Sequence, residues 1–360
     1  MHPDSAELAL PQFDIRALVR RGALPAALVA VAAVVVLAQG RVGAFVNAFD
    51  RALHADWHWV SGAVVFEVLS FTGYVALLWF VAGRATRRID LRRAVEVTLG
   101  GAAATRLLPT AGVGGAAMTL WVFRRAGMEK RASARTLLTF LVVLYAVFLG
   151  AIVVSGTLVA LGAVGGNGPL TLSALPAAVA AIGFGFVLAL GLRRRRAADD
   201  GPANGSRMRR GILLLGDATA DAIGLLRTRD PRLLGAVAWW LFDAAVLWAM
   251  LSAFGATRVL AVIALAYFVG QVGNAIPVPG AVSGGMVGVL LAFGVQADLA
   301  VVSVLAYRAM AIWLPAPIGL MALTGLRRTI VRWADEGAGK TTVGGQSPDR
   351  RPVGRAGVPA

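Results

Sequence analysis

The stretch QVGNAIPVPGAVSGGM, residues 271–286, interrupts an otherwise apolar part of the chain and decides the fold. Pro277 and Pro279 lack the N–H that a helix needs, and their rings clash with the preceding turn. The glycines that follow allow backbone conformations that other residues resist. Broken backbone at membrane depth is tolerated only where protein buries it or where it lines a wet cavity. The stretch therefore predicts a binding element rather than a plain membrane span.

The composition places the chain in a membrane. Of its 360 residues, 58% are hydrophobic and 15% are charged, against about 25% charged in soluble domains. The mean hydropathy is +0.73. Several runs exceed the ~18 apolar residues that mark a transmembrane helix. We therefore predict an all-α polytopic membrane protein.

The net charge is strongly basic, and the basic residues are unevenly placed. Lys and Arg number 35 against 19 Asp and Glu, and the arginines cluster beside the apolar runs. This arrangement follows the positive-inside rule, and it suits anionic lipid headgroups rather than nucleic acid. The absence of cysteine excludes thiolate chemistry and disulfides. The bias toward Arg, Ala, Gly and Val indicates a bacterial source with a GC-rich genome.

A fainter copy of the opening pattern lies upstream. The sequence RLLPTAGVGG, residues 106–115, also places a proline, Pro109, ahead of a glycine run that begins at Gly112. In both copies a short polar link and a long apolar helix follow. Corresponding interrupted segments in two halves of a chain indicate a transporter-like site at the interface of two repeats.

The apolar runs divide the chain into spans and hairpins. About six spanning helices are predicted, at residues 23–38, 60–81, 136–164, 172–192, 233–254 and 299–326. The two interrupted segments lie between them as hairpins. We expect a cytoplasmic N-terminal segment over residues 1–22, a transmembrane domain over 23–334 and a disordered cytoplasmic tail over 335–360.

The basic clusters set the expected orientation. They flank both ends of the first interrupted segment, residues 94–123, so both ends should face the cytoplasm and the second hairpin should enter from outside. Repeat one, about 60–164, then runs opposite to repeat two, about 233–326, as an inverted-topology repeat. Arms of about 12–15 residues fit re-entrant hairpins, and two tilted full crossings would preserve the same sidedness. The basic linker 193–232 should hold an interfacial or packing helix on the cytoplasmic side.

Four charged residues in or beside apolar segments are candidate site residues. Cations within a span are rare and usually functional or paired, which singles out Arg308, with Arg106 as its counterpart near Pro109. A guanidinium binds phosphate in a planar, two-pronged contact. The alternatives are a structural pair of Arg308 with Asp243 or with a backbone carbonyl, and snorkelling of Arg106 to the interface. Asp243 and the shallower Glu67 are candidates for charge balance or proton transfer.

The broken segments contribute the remaining candidates. Asn274 and the hairpin glycines either direct backbone N–H groups at an anion or serve close helix packing. The predicted substrate-binding residues are Arg308, Arg106, Asn274, Pro277, Pro279, Gly280, Gly284, Gly285, Pro109 and Gly112. The Asp and His residues of 50–58 are interpreted as part of an interfacial loop, and we expect neither a metal nor a cofactor.

Together these motifs resemble the lysylphosphatidylglycerol synthase transmembrane region, or flippase-like, family. The residues that carry the resemblance are Pro277-x-Pro279-Gly280, Gly284-Gly285, Gly294, Tyr307-Arg308 and Trp313-Leu314, with Leu108-Pro109, Gly112 and Gly127 in the first half. The resemblance covers about residues 60–326. It implies a membrane domain that moves lipids or lipid-linked headgroups between leaflets.

Two departures from the family pattern concern headgroup chemistry. A Glu is expected after the glycine pair, where this chain has Met286 and Val287, and an acidic residue is expected at Ala116 or Ala117. Recognition of aminoacylated, cationic lipids is therefore not carried over. We also expect no soluble transferase domain after the last span, so the resemblance does not imply synthase activity.

The function expected from these features is the flipping of a phospholipid or lipid-linked headgroup in the inner membrane. Residues 337–341 lack the first glycine and the preceding strand of a phosphate-binding loop, so we expect neither nucleotide hydrolysis nor enzyme activity. The expected partners are lipids with anionic or phosphate-bearing headgroups, and a second copy of the chain or a lipid-modifying enzyme is a further candidate. One alternative is a non-transporting subunit that anchors a lipid- or glycan-modifying enzyme. Another is a small-solute secondary transporter.

Overall fold

The computed structural model describes residues 55–107, 113–163, 169–196, 206–256, 260–275 and 280–343, and their regular structure is entirely helical. The α-helices are α1 (Trp57–Ala85), α2 (Leu91–Leu107), α3 (Val113–Arg125), α4 (Lys130–Ala160), α5 (Leu170–Arg196), α6 (Arg207–Arg227), α7 (Gly235–Ala253), α8 (Leu260–Val272), α9 (Ala281–Ala292), α10 (Ala297–Trp313) and α11 (Pro315–Val343). Short 3₁₀ turns precede α7 and follow α8.

The polytopic all-α prediction is confirmed. Within the described residues, 5 helical runs are long and apolar enough to cross a membrane, and they match the predicted spans from 60–81 onward. The first predicted span, 23–38, lies outside the described residues. The last run is interrupted at Leu314, because Pro315 has no N–H to donate to the preceding turn.

The C-terminal boundary differs from the prediction. The tail was expected to be disordered from residue 335, whereas α11 continues as helix to Val343. Residues 344–360 lie outside the described part of the chain.

The α1–α7 pair forms the centre of the bundle. The two helices run antiparallel, since the Asp56 N–H donates to the Ala253 carbonyl (3.1 Å) while Gly73, further along α1, lies against Gly235 at the start of α7. Close contact is possible because both positions are glycine: a Cβ at Gly73 would lie 2.7 Å from the Gly235 carbonyl oxygen. Small residues at a helix crossing are how membrane helices gain packing contacts without a hydrophobic driving force.

Each predicted hairpin is a pair of short helices. The arms α2, α3, α8 and α9 contain 17, 13, 13 and 12 residues, fewer than the ~20 needed to cross a bilayer. In the first hairpin Gly101 crosses Gly115, and in the second Gly270 crosses Gly285, where an added Cβ would lie 3.1 Å from the Gly270 Cα. Both hairpins therefore close on a glycine–glycine contact.

The two hairpins pack against different helices. The second hairpin packs through α8 against α4 and α7, whereas the first packs through α2 along α11. Arg93 of α2 bridges Glu96 (2.8 Å) and donates to Thr329 of α11 (2.5 Å). This polar contact fixes the first hairpin to the C-terminal helix.

The helix α6 is the packing helix expected in the linker. Asp217 pairs with Arg194 of α5 (2.8 Å), and Asp221 pairs with Arg135 of α4 (2.5 Å). These ion pairs gather α4, α5 and α6 at one end of the bundle. Arg232, beside Phe80 of α1 at 4.8 Å, brings the C-terminal end of α1 and the start of α7 to the same place. We call this the basic end.

Candidate functional site

Asp243 of α7 lies at the centre of a polar cluster in the apolar core. The residue is 5% exposed. Tyr267 of α8 donates its hydroxyl proton to Asp243 Oδ2, and Tyr307 of α10 donates to the same oxygen over 3.2 Å. One carboxylate thus links three helices, two of which flank the second hairpin.

The cluster continues outward along the second hairpin. Gln271 Nε2 donates to the Tyr307 hydroxyl oxygen (3.0 Å), and Asn274 Nδ2 donates to Gln271 Oε1 (2.7 Å). Tyr267 and Tyr307 are fully buried, while Asn274 is exposed. We call these residues, from Asp243 to Asn274, the Asp243 network. It connects the core with the surface of the hairpin.

All donors in the Asp243 network point toward the carboxylate. An ionised carboxylate only accepts hydrogen bonds, so both tyrosines must donate, and the Tyr307 oxygen is left to accept from Gln271. Hydrogen bonds aligned in one direction polarise one another, and those to a charged acceptor are the strong ones. The network therefore stabilises a negative charge at Asp243, and it leaves the Asn274 carbonyl oxygen to accept from a group outside.

Arg308, the cation singled out by the sequence, lies on α10. It follows Tyr307 on α10 and is half-buried, between the core-facing side of the helix and the exposed residues Leu305 and Ala309. In the described part of the chain no carboxylate lies within ion-pair distance of Arg308, and Asp243 accepts from the tyrosines instead. The alternative of an Arg308–Asp243 pair is therefore not the arrangement found.

Glu67 is buried inside the helix bundle. It is 2% exposed, on the face of α1 that packs against α7. The neighbouring ring of Phe66 stacks on Phe242 with centroids 6.0 Å apart, so the antiparallel register places Glu67 level with Asp243. Pairing with α7 buries this face of α1, and Glu67 remains a candidate for charge balance or proton transfer.

The glycine candidates of the second hairpin have three different surroundings. Gly285 serves close packing, since it contacts Gly270 across the hairpin. Gly280 has a φ of 85° and begins α9, where a side chain would strain the backbone. Gly284 is exposed, and a Cβ added there would meet no atom of another element within 4 Å. Met286, at the position where a Glu was expected, is buried against Gly270.

The remaining candidates cannot be placed against this site. Pro109, Gly112, Pro277 and Pro279 lie outside the described residues, and Arg106 belongs to the end of α2 with its side chain outside the described part. The network residues Tyr267 and Gln271 were given no role by the sequence reasoning. Their spacing of four residues on an apolar helix, continued by Asn274, is the signal that could have found them.

The fold and the site together define a polytopic all-α membrane protein with two pairs of short helices and a buried carboxylate network. The chain belongs to the family of the lysylphosphatidylglycerol synthase TM region, whose pattern it matches over residues 23–319. The resemblance stated from the sequence is confirmed, and it relates the protein to membrane lipid modification or flipping. No curated protein matches the chain.

Proposed function

We propose that this protein is a transporter rather than an enzyme, and that it flips a phospholipid or lipid-linked headgroup between leaflets without nucleotide hydrolysis. The observation that carries the proposal is Arg308: a half-buried residue on an apolar helix, without a carboxylate partner among the described residues and next in the chain to Tyr307 of the Asp243 network. Intramembrane charges of this kind mark substrate pathways. Membership of a lipid-related membrane family supports a lipid as the substrate.

The helix pairings support an inverted repeat. In repeat one, α1 packs on α2 and α4, α2 on α3, and α3 on α4. In repeat two, α7 packs on α8 and α10, α8 on α9, and α9 on α10. The central helices α1 and α7 run antiparallel. This is the arrangement from which alternating access around a midplane site is built.

In the proposed cycle Arg308 binds the phosphate of the lipid headgroup by a two-pronged contact. The second hairpin moves relative to α10 and opens the site to one leaflet at a time. Because the Asp243 network joins the hairpin to α7 and α10, this motion must remake its hydrogen bonds. Asp243 balances the charge of Arg308 and its ligand, or carries a proton, during the crossing. The arginine clusters support an inner-membrane location with both termini in the cytoplasm.

Lipid exchange in liposomes tests the role of Arg308. Protein is reconstituted with labelled phospholipid in one leaflet, and Arg308→Ala is compared with wild type and with Arg328→Ala. Loss of a charge-assisted contact worth ~1.5–3 kcal/mol is expected to slow exchange at least about ten-fold. Arg328 is exposed on α11 and should tolerate the same change. Equal rates for wild type and Arg308→Ala would reject the proposed role.

The same preparation distinguishes the alternative of an anchoring subunit. If wild-type protein gives no exchange but co-purifies with a lipid- or glycan-modifying enzyme, the anchoring function is favoured. The basic linker around α6 would then be the contact surface. The matching helix pairings of the two repeats favour transport, because an anchor needs no such arrangement.

A further inference from the structure

A cleft opens at the basic end, away from Arg308 and the Asp243 network. It lies where the end of α1, the first turns of α4 and the second half of α6 meet, and its volume is about 440 Å³. Its apolar lining residues include the buried Val81, the half-buried Leu225 and the exposed Ala132. Arg84 and Arg135 lie among its polar lining residues. An apolar wall with a few polar groups is the usual composition of a small-ligand site.

The charges lining the cleft add up to one positive unit. Two guanidiniums, Arg84 and Arg135, stand against one carboxylate, Asp221. Arg135 is largely engaged, since its Nε and Nη2 donate to the two oxygens of Asp221 over 2.5 and 2.6 Å. Arg84 is exposed, and its guanidinium lies 5.3 Å from the Phe80 ring centroid. Among the described residues Arg84 has neither an ion pair nor a hydrogen-bonded acceptor. The nearby carboxylate of Asp230 acts on it only through its charge and is itself paired with Arg232 (2.7 Å), so Arg84 can bind an anion.

The position of the cleft indicates the source of that anion. α1 and α4 are both long apolar helices, and the cleft lies where each meets its arginine-rich end. This is the depth at which phospholipid headgroups lie, and basic pockets between helices at that depth bind anionic headgroups. A phosphodiester carries one negative charge, which matches the net charge of the lining. The apolar wall suits the glycerol and the first carbons of the acyl chains.

We infer that this cleft binds the phosphodiester of an anionic phospholipid, with Arg84 as the main contact and Arg135 held in place by Asp221. The site is separate from the proposed translocation site and does not depend on it. Lipid binding there orders the meeting point of α1, α4 and α6. A protein that only anchors a partner would have the same site.

Native mass spectrometry tests the inference in an Arg308→Ala background, so that the cleft is measured rather than the proposed transport site. Protein is titrated with phosphatidylglycerol, and Arg84→Gln is compared with Arg87→Gln. Arg87 is an exposed arginine of the next turn that does not line the cleft. We expect Arg84→Gln to weaken retention about three- to five-fold, the size expected for an exposed charge pair. Arg87→Gln should leave it unchanged.

Two further measurements distinguish a specific lipid site from attraction to general surface charge and from binding of free phosphate. Ala132→Leu leaves the charge unchanged but fills the apolar wall, and it should weaken retention as much as Arg84→Gln. Phosphatidylcholine, inorganic phosphate and glycerophosphate should not displace phosphatidylglycerol. Equal loss in Arg84→Gln and Arg87→Gln, no effect of Ala132→Leu, or displacement by a soluble phosphate would each overturn the inference.

Discussion

Asp243→Asn is expected to reduce lipid exchange at least about ten-fold while leaving the protein folded. The carboxylate accepts from both Tyr267 and Tyr307, and each hydrogen bond to a charged group is worth ~1.5–3 kcal/mol. An amide keeps the shape of the side chain but not its negative charge. Charge balance at Arg308 and any transfer of a proton are lost together. Exchange should therefore fall even though the core is still filled.

The thermal stability of Asp243→Asn should be equal to or higher than that of wild type. A charged Asp at the centre of a membrane helix costs ~2.5–3.5 kcal/mol on insertion scales. The neutral variant avoids this cost, and its amide oxygen still accepts from both tyrosines as weaker, neutral hydrogen bonds. The two effects offset each other, so its thermal unfolding midpoint in detergent should be no lower than that of wild type. If Asp243 only holds helices together, Asn will preserve exchange. If its negative charge is needed for transport, lipid exchange will fall while the unfolding midpoint stays the same or rises.

Tyr307→Phe tests the outward part of the Asp243 network in the same exchange assay. It removes the hydroxyl that joins Asp243 to Gln271 and leaves the Tyr267 contact in place. Tyr145→Phe is the matched control, because Tyr145 is 48% exposed on α4. Exchange by Tyr307→Phe should fall between wild type and Asp243→Asn, while Tyr145→Phe should behave as wild type. Equal exchange in both phenylalanine variants would contradict a role for the outward part of the Asp243 network.

The second large effect is expected at the α1–α7 crossing, where Gly73→Val should prevent stable folding. A Cβ at Gly73 would lie 2.7 Å from the Gly235 carbonyl oxygen and from the Ala238 Cβ. The backbone oxygen cannot move aside unless the helices separate. Overpacking costs ~1–3 kcal/mol where a core can adjust, and more where backbone is in the way. We expect little monodisperse protein after extraction and a clearly lower unfolding midpoint.

Gly62→Val on the same helix is the control for Gly73→Val. A Cβ added at Gly62 would meet no atom of another element within 4 Å. The intrinsic cost of valine in a helix is therefore the same at both positions, but the packing clash is absent at Gly62. Size-exclusion profiles and unfolding midpoints of the two variants should differ clearly. Similar behaviour would mean that α1 and α7 are not packed as closely as described.

The residue patterns that the sequence predicted well are those with a local cause. The spans follow from runs of apolar side chains, and the hairpin arms are short because prolines and glycines end their helices. Asp243 and Arg308 stand out because charge is rare in a span. Each of these inferences needs only a residue and its neighbours along the chain.

The features that the sequence did not show have a different origin. The burial of Glu67 depends on the pairing of α1 with α7. Gly285 could not be assigned to packing until Gly270 was found opposite it. Tyr267 attracted no attention because a tyrosine in an apolar helix is common, and only its approach to Asp243 gives it a role.

The sequence by itself determined that the chain is an all-α membrane protein with two broken hairpins and a few intramembrane charges. Periodicity, hydropathy and backbone chemistry act over short stretches and can be read directly. The tertiary structure alone decided that Asp243 meets two tyrosines, that Arg308 stays apart from it, and that a cleft forms at the basic end. Those contacts join helices far apart in sequence, and they depend on the register in which the helices pack, which no single stretch encodes.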